Sequence, residues 1–496
     1  MEKQNYDIII KPSTNKGYVI IKTNHFRVWE NLQSKFTFKA DNYWFSPKYK
    51  DGTWDGKIRK LKYDGSLPIG LLDHLIEKIV PKYNYTVLFD NYIRTINYDV
   101  DKIKSWIDGL NISKEPRDYQ FNAFYEGICK KLNGIISITG SGKSLMIYLF
   151  CRFALQIKKQ VLLVVPRVQL VDQMYKDFID YGFEDIDEHC YMIKAGKAKD
   201  FIKPIIITTW QSVYKKATDN YKNIGMLIVD ECHEANAKSL VTIQDNCYNA
   251  SYRFGLSGTV PINTEADYFT YTSCFGVFKE YLTYQEATEK GYISPMVLNV
   301  ILLDYQDKDR KLNYELNRDY QDEIDFVYNH KERNIFLAQL VDGLEKNTLI
   351  LFTKIETHGK VLLNIIKEYS KKEVYYIDGS VKDTVREDIR AKMELEDNVI
   401  LLASYGTFSI GINIKNIHNV VFASAYRTEI KTFQSIGRGL RKLDDKTLQV
   451  YDIVDQLSYQ KDNGSIYDNH IVNQFRDRLE QYKKRDFSII KKRIEL

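Results

Sequence analysis

The sequence predicts an α/β protein with two parallel-sheet domains in tandem behind a small α+β domain at the amino terminus. Three observations carry this expectation. Short β-branched apolar runs alternate with helical stretches, and the alternation occurs twice. The two series are separated by residues 287–321, which hold one more apolar run, 296–303, and then a polar stretch. The first 112 residues follow neither series.

In the first series, residues 135–138, 161–165, 205–209 and 226–229 read as buried strands, each too short for a typical helix. Residues 144–156 and 168–181 read as helices between them. In the second series the strands are 349–352, 373–377, 399–402, 420–423 and 449–453. The expected domains are therefore 1–112, 113–295 and 296–496. Within the first, strand-like runs at 6–10 and 18–21 lead into a segment dense in aromatics, glycine and lysine. The tail from about Asn473 reads as a basic helical end to the third.

Composition sets limits rather than a function. A chain of 496 residues has room for several domains with large cores. Hydrophobic residues make up 44% and charged residues 28%, an ordinary soluble balance. With 9 prolines and 25 glycines, no long flexible spacer is expected. The net charge of +5, from 71 basic and 66 acidic residues, is too mild to indicate a partner by itself, so only local charge matters. None of the six cysteines forms a CxxC pair, which argues against zinc or a disulfide framework and fits a reducing interior. The start lacks a signal-peptide core, and no apolar run approaches the ~20 residues of a membrane helix. A cytoplasmic protein with no membrane partner is expected.

The run Ser137-Ile-Thr-Gly-Ser-Gly-Lys-Ser144 lies between an expected strand and an expected helix, the context of a phosphate-binding loop. Gly140 and Gly142 let backbone amides approach phosphates, with Thr139 and Ser141 beside them. Lys143 is expected to reach the β- and γ-phosphates, and the Ser144 hydroxyl to ligate Mg²⁺. Ser137 stands where the strict pattern has its first glycine, so the loop alone also fits a Gly/Ser turn. The run Met226-Leu-Ile-Val-Asp-Glu-Cys-His233 removes most of that ambiguity. It is an apolar strand ending in two carboxylates: Asp230 suited to hold the metal, Glu231 to orient the attacking water. In Gln434-Ser-Ile-Gly-Arg-Gly-Leu-Arg441, Arg438 and Arg441 lie three apart and suit a γ-phosphate, as arginine fingers do. A surface basic helix is the plainer alternative there.

These elements occur in the order used by superfamily-two helicases, and others join them. Glu115-Pro-Arg-Asp-Tyr-Gln120 resembles the adenine-reading Q motif, which implies nucleotide contacts at Arg117, Tyr119 and Gln120. The run 164–173 resembles motif Ia, with Arg167 where the family often has Thr, and Gln173 at its end. Thr208-Thr-Trp-Gln-Ser212 resembles the next nucleic-acid contact, implying Thr209. Ser257-Gly-Thr259 holds the place of the coupling motif. Residues 349–354 resemble motif IV and imply Thr353, and the family pattern also implies Gly379. Ala403-Ser-Tyr-Gly-Thr-Phe-Ser-Ile-Gly-Ile-Asn413 resembles motif V, implying Thr407 on nucleic acid and Gly411 and Asn413 on nucleotide. The family pattern also implies Gln434 as a nucleotide contact and His233 as part of the catalytic box.

The amino-terminal stretch 43–59, with Leu67-Pro-Ile-Gly70 after it, resembles the UvsW-type recombination and repair helicases of tailed phages. That resemblance spans nearly the whole chain. It implies two RecA-like domains behind a small nucleic-acid-binding domain, with ATP and Mg²⁺ as cofactors. It implies remodelling of branched DNA, including forks, Holliday junctions and R-loops, and so contact with duplex, single strands and RNA–DNA hybrids. A monomer in the host cytoplasm is expected.

Residues 48–62 carry six basic residues against two acids, with Trp44, Phe45, Tyr49 and Trp54 beside or among them. Lysines and arginines neutralise phosphate and aromatics stack on bases, so Lys48, Lys57, Arg59 and Lys60 are expected on nucleic acid. Trp44 and Trp54 are expected in a core. The tail cations Lys483, Lys484, Arg485, Lys491, Lys492 and Arg493 fit a second backbone contact or a solvated helix equally well. The motor motifs do not separate DNA from RNA helicases. A non-hydrolysing annealing module fits poorly with the full set of ATP residues. A restriction-complex motor would add an acidic nuclease cluster, and none stands out.

Overall fold

The computed structural model describes residues 6–92, 95–138, 140–194, 201–216, 218–235, 237–258, 264–316, 319–408, 414–424, 446–485 and 487–496. The chain divides into two compact units: one comprises Met1–Ser137 and Gly142–Tyr281, the other Ile138–Ser141 and Leu282–Leu496.

The first unit begins with a small mixed sheet. Strand β1 (Ile8–Pro12) pairs antiparallel with β2 (Tyr18–Lys22). A two-stranded ribbon follows, β3 (Thr37–Lys39) against β4 (Lys57–Arg59). Strand β5 (Ser66–Pro68) then joins β2, and β6 (Val87–Phe89) joins β1 in parallel. Alternation along β1 and β2 buries Ile8, Ile10, Val19 and Ile21 on one face, where Leu32 and Phe36 cover them. Phe269, from the helix Glu265–Phe275, closes the same core, with its ring stacked on Phe38 at 4.9 Å. The amino-terminal domain thus shares its core with the α/β domain that follows.

That α/β domain has, among the described residues, seven parallel strands: β7 (Leu132–Ile136), β8 (Gln160–Val165), β9 (Cys190–Ile193), β10 (Ile205–Thr209), β11 (Ile224–Val229), β12 (Tyr252–Ser257) and β13 (Phe278–Glu280). Their spatial order is β13-β7-β12-β11-β8-β10-β9. Both faces are covered by helices, so β8, β10, β11 and β12 are buried almost end to end.

The second unit holds another seven-stranded parallel sheet among the described residues: β14 (Met296–Asp304), β15 (Thr348–Phe352), β16 (Val374–Ile377), β17 (Ile400–Ser404), β18 (Asn419–Phe422), β19 (Leu448–Gln456) and, after a short hairpin of β20 (Tyr459–Gln460) with β21 (Ile466–Tyr467), β22 (Ser488–Glu495). The order is β16-β17-β15-β18-β19-β14-β22. The architecture is the expected pair of RecA-like parallel-sheet domains with a small α+β domain in front.

The apolar run at 296–303, where the expected third domain begins, is a nine-residue strand paired on both sides. Two sequence expectations need correction. The tail is not one basic helix. The helix His470–Lys484 carries Lys483 and Lys484 at its end, whereas Lys491, Lys492 and Arg493 lie on β22, an edge strand parallel to β14. The β-branched Ile489, Ile490 and Ile494 favour the extended state there, and a charged edge resists pairing with other chains. Trp44 is not in a core: it is 51% exposed, and Trp54 is half-buried with its indole N–H donated to the Lys57 carbonyl at 2.8 Å.

Candidate ATP site and nucleic-acid surface

The expected phosphate loop leaves β7 and enters the 14-residue helix Lys143–Gln156. Gly140 and Gly142 both have left-handed backbones, φ +89° and +80°. At Gly142 the backbone itself strains any side chain, and a Cβ would also press on Gln120 Nε2, 2.5 Å away, and displace it. Gly142 is the residue at which the helix starts, so the helix's unpaired amides face the loop.

Lys143 Nζ lies 2.9 Å from Glu231 Oε1 and 3.3 Å from the Ser137 carbonyl. Glu231 follows β11 in a left-handed conformation, φ +44°, which is unfavourable for a side chain of this type and is held by its contacts. Its Oε2 accepts the Gly258 N–H at 3.2 Å and lies 3.5 Å from His233 Nδ1, which is 2.5 Å from Ser257 Oγ. The catalytic box is thereby joined to the Ser257-Gly258 strand end. Burial pushes the Glu231 carboxyl up, but Lys143 and His233 outweigh it and hold the group below its ordinary value. Burial, and then the Glu231 charge, push the neighbouring Asp230 carboxyl well up. Burial lowers His233, against the Glu231 and Glu234 charges that raise it. A cation beside Asp230 would relieve the cost of ionising it. Asp230 and Ser144 offer carboxylate and hydroxyl oxygens, the hard donors Mg²⁺ takes while keeping several waters. The residues present fit that ion.

Gln120 is buried on the same loop: its Oε1 accepts the Arg117 N–H at 2.9 Å and its Nε2 donates to the Gly142 carbonyl at 3.1 Å. Tyr119 is buried beside it. Lys143, Ser144, Asp230, Glu231, His233 and Gln120 are all on the carboxyl-end side of this sheet or the elements bordering it, where open α/β sheets bind ligands. Thr139, Thr259, Gly411, Asn413, Gln434, Arg438 and Arg441 lie outside the described residues.

The expected nucleic-acid contacts fall into three groups. Arg167, at the start of helix Val168–Asp180, is drawn towards the catalytic box by Glu234, 3.3 Å away, while Gln173 on that helix is exposed. Thr209 Oγ1 is 3.0 Å from Ser212 Oγ at the end of β10. In the second unit, Ser404 Oγ donates to Thr407 Oγ1 at 2.8 Å at the end of β17, Thr353 Oγ1 is 2.8 Å from Tyr328 OH, and Gly379 is exposed. In the amino-terminal domain Lys48 and Lys57 are exposed. Arg59 is exposed too but is engaged by Asp55, whose carboxyl its hydrogen bonds hold down at about 2. Lys60 differs: it is half-buried, and desolvation lowers its amine. Around the exposed lysines stand Trp44, Phe45 and Tyr49, all exposed.

Sequence reasoning missed the seat of this domain. Tyr18 OH donates to Asp245 Oδ1 at 2.6 Å, His74 Nδ1 lies 2.9 Å from Tyr268 OH, and Gly70 meets the helix Glu265–Phe275 so closely that a Cβ would sit 1.9 Å from the Thr272 carbonyl oxygen. In the sequence Gly70 stands out only as part of a resemblance, and no local pattern marks its partner.

A parallel sheet that carries a phosphate loop, a strand-end Asp-Glu pair and, in a second such sheet, strand-end hydroxyls defines a superfamily-two helicase motor, an ATP-hydrolysing enzyme that binds nucleic acid. The comparisons narrow this. Residues 15–90 match the family model of the DNA helicase UvsW amino-terminal domain, 113–262 that of the type III restriction enzyme res subunit, and 332–442 that of the helicase conserved C-terminal domain. The ATP-dependent DNA helicase UvsW of Enterobacteria phage T4 is 32% identical over 495 residues, covering 94% of this chain and 96% of that protein. The crystal structure of T4 UvsW aligns over 99% of both chains at a TM-score of 0.52 and 29% identity. A putative helicase of a Sulfolobus islandicus filamentous virus is 23% identical over 88% of this chain and 79% of its own length. The chain belongs to the UvsW family of ATP-dependent DNA helicases.

Proposed function

We propose that this helicase remodels branched DNA (forks, Holliday junctions and R-loops) in recombination, repair and replication, driven by hydrolysis of Mg·ATP. The observation that carries the reading is the seating of a basic, aromatic surface directly on the domain that holds the ATP site. A motor that only tracked one strand would have no use for it. In this reading Lys143 leaves Glu231 for the β- and γ-phosphates, and the carboxylate it releases orients the attacking water. Asp230 and Ser144 hold Mg²⁺, which neutralises charge on the phosphates when bound. Gln120, with Arg117 and Tyr119, reads the adenine. Arg438 and Arg441 stabilise the transferred phosphoryl group, and Gly411, Asn413 and Gln434 border the nucleotide. Lys48 and Lys57 grip the duplex or junction, while Arg167, Gln173, Thr209, Thr353, Gly379 and Thr407 follow the strand.

The domain limits that go with this reading are 1–112 for the grip and 113–295 and 296–496 for the motor. The enzyme works as a monomer in the host cytoplasm, on DNA and on RNA–DNA hybrids. Among the described residues, no helix is long and apolar enough to cross a membrane. The test is ATP hydrolysis stimulated separately by single-stranded, duplex, forked and junction DNA and by RNA. Branched DNA is expected to stimulate most. Stimulation by RNA above every DNA would overturn the assignment.

A further inference from the structure

The Ser144 hydroxyl is already held by a residue that no motif names. Tyr181 OH lies 2.7 Å from Ser144 Oγ. Tyr181 is the capping residue that ends the helix Val168–Asp180, and it is only 7% exposed. Its ring packs 5.5 Å from that of Tyr148, which stands on the phosphate-loop helix itself. Its backbone carbonyl accepts the Ser113 N–H at 3.3 Å, and Lys114 Nζ lies 5.7 Å from the ring centre. Gly182, next in the chain, is left-handed at φ +92°. A Cβ there would come within 3.3 Å of the Asn111 carbonyl. The phenol is therefore located by the helix it ends, by the phosphate-loop helix and by residues 111–114.

A serine hydroxyl has one proton and two acceptor lone pairs. When Ser144 gives its proton to the phenol oxygen, both lone pairs of Oγ point elsewhere, and one can face a cation. A hydroxyl left to rotate would have to be ordered each time the metal bound. Partners that fix a metal ligand in this way are worth ~10–100-fold in metal affinity. We propose that Tyr181 is a positioning residue for the metal of the ATP site. It orients Ser144 Oγ for Mg²⁺ and couples that orientation to residues 111–114, which lead into the stretch around Gln120. The inference rests on the Mg·ATP reading of the site.

The variant is Tyr181→Phe, which keeps the ring and removes only the hydroxyl. The measurement is binding of fluorescently labelled ADP, first in a metal chelator and then over a Mg²⁺ series, so that no turnover is needed. In Y181F, affinity without metal should match the native protein. The Mg²⁺ needed for half of the metal-dependent gain should rise ~10-fold. Ser144→Ala should lose that gain, and the double variant should lose no more. A native Mg²⁺ profile in Y181F overturns the inference, and so does an equal loss of ADP affinity with and without metal, the sign of a merely structural role. If S144A keeps the native gain, the metal reading of the site falls and this inference with it. If S144A loses the gain while Y181F does not, only the role of Tyr181 falls.

Discussion

The two α/β sheets are the same permutation of strands put to different uses. Numbered along each sheet's own stretch of chain, with the short hairpin set aside, both run seventh, first, sixth, fifth, second, fourth, third. In the first sheet, the first strand leads into Gly140, Gly142 and Lys143, and the fifth ends at Asp230 and Glu231. In the second sheet, the first strand, β14, leads into Asp304 and Tyr305 with no glycine, and the fifth, β18, runs out through Ala423 and Ser424. The carboxylates of the second sheet lie inside instead. Asp455 and Asp452, on β19, are bidentate partners of the buried Arg333 and Arg478. Tyr305 OH also donates to Asp455, at 2.8 Å, and Tyr482 OH to Asp452, at 3.0 Å. What the comparison teaches is a division of labour. The permutation decides where a strand end opens onto the sheet's edge, and the residue types decide whether that edge does chemistry.

If the first sheet alone holds the hydrolytic groups, Lys143→Ala should take DNA-stimulated ATP hydrolysis to background while leaving DNA binding largely intact. Near-native turnover measured in that variant would break the comparison outright. The second sheet is expected to give charge rather than metal or water. Arg441→Ala should bind ATP normally and hydrolyse it ~10³-fold more slowly, the scale of a lost arginine finger. Weaker DNA binding at an unchanged turnover rate would assign Arg441 to the strand instead. The inward carboxylates make a third test. Arg333→Ala leaves Asp455 buried without its ion partner, which costs about 3–5 kcal/mol. Thermal melting should show the transition of the second unit lowered by about 10 °C, with ADP binding by the first unit kept at low temperature. An unchanged melting profile would mean that the pair is no structural anchor.

The smallest effect concerns the amino-terminal surface. Reversing Lys48 and Lys57 to Glu should reduce binding to forked DNA and flatten its salt dependence, by ~0.9 in the log–log slope for each phosphate that is no longer neutralised. Lys60→Glu should lower stability more than it changes that slope, because Lys60 is half-buried. Equal slope changes at all three positions would erase the distinction between them.

The chemistry of the first sheet is legible in the sequence because it demands fixed residue types at contiguous positions: Gly-Ser-Gly-Lys after a strand, Asp-Glu at the end of another. The fold is legible wherever buried parallel strands leave apolar runs, as at β8, β10 and β11. It is obscured where a strand looks like something else. The run of β14 stands alone before a polar stretch, and β22 carries three successive cations that read as a helical tail. The Tyr18–Asp245 and Tyr181–Ser144 contacts join residues far apart in sequence and belong to no motif, and Tyr181 is one of 37 tyrosines. Trp44 misleads because hydrophobicity argues for burial, whereas a surface that stacks bases wants the ring exposed.

The seat of Gly70 against the Thr272 carbonyl has a mechanical meaning. A domain hung on a slack tether spends each tug of the motor on straightening the tether. One seated with no room for even a methyl group moves as a rigid extension of the part that burns fuel. Whatever the lysine-rich strip of the amino-terminal domain holds is then fixed cargo of the ATP-binding domain. A displacement of that domain reaches the cargo with its direction preserved, as through the handle of a tool. Enlarging Gly70 would not blunt the engine; it would loosen the handle.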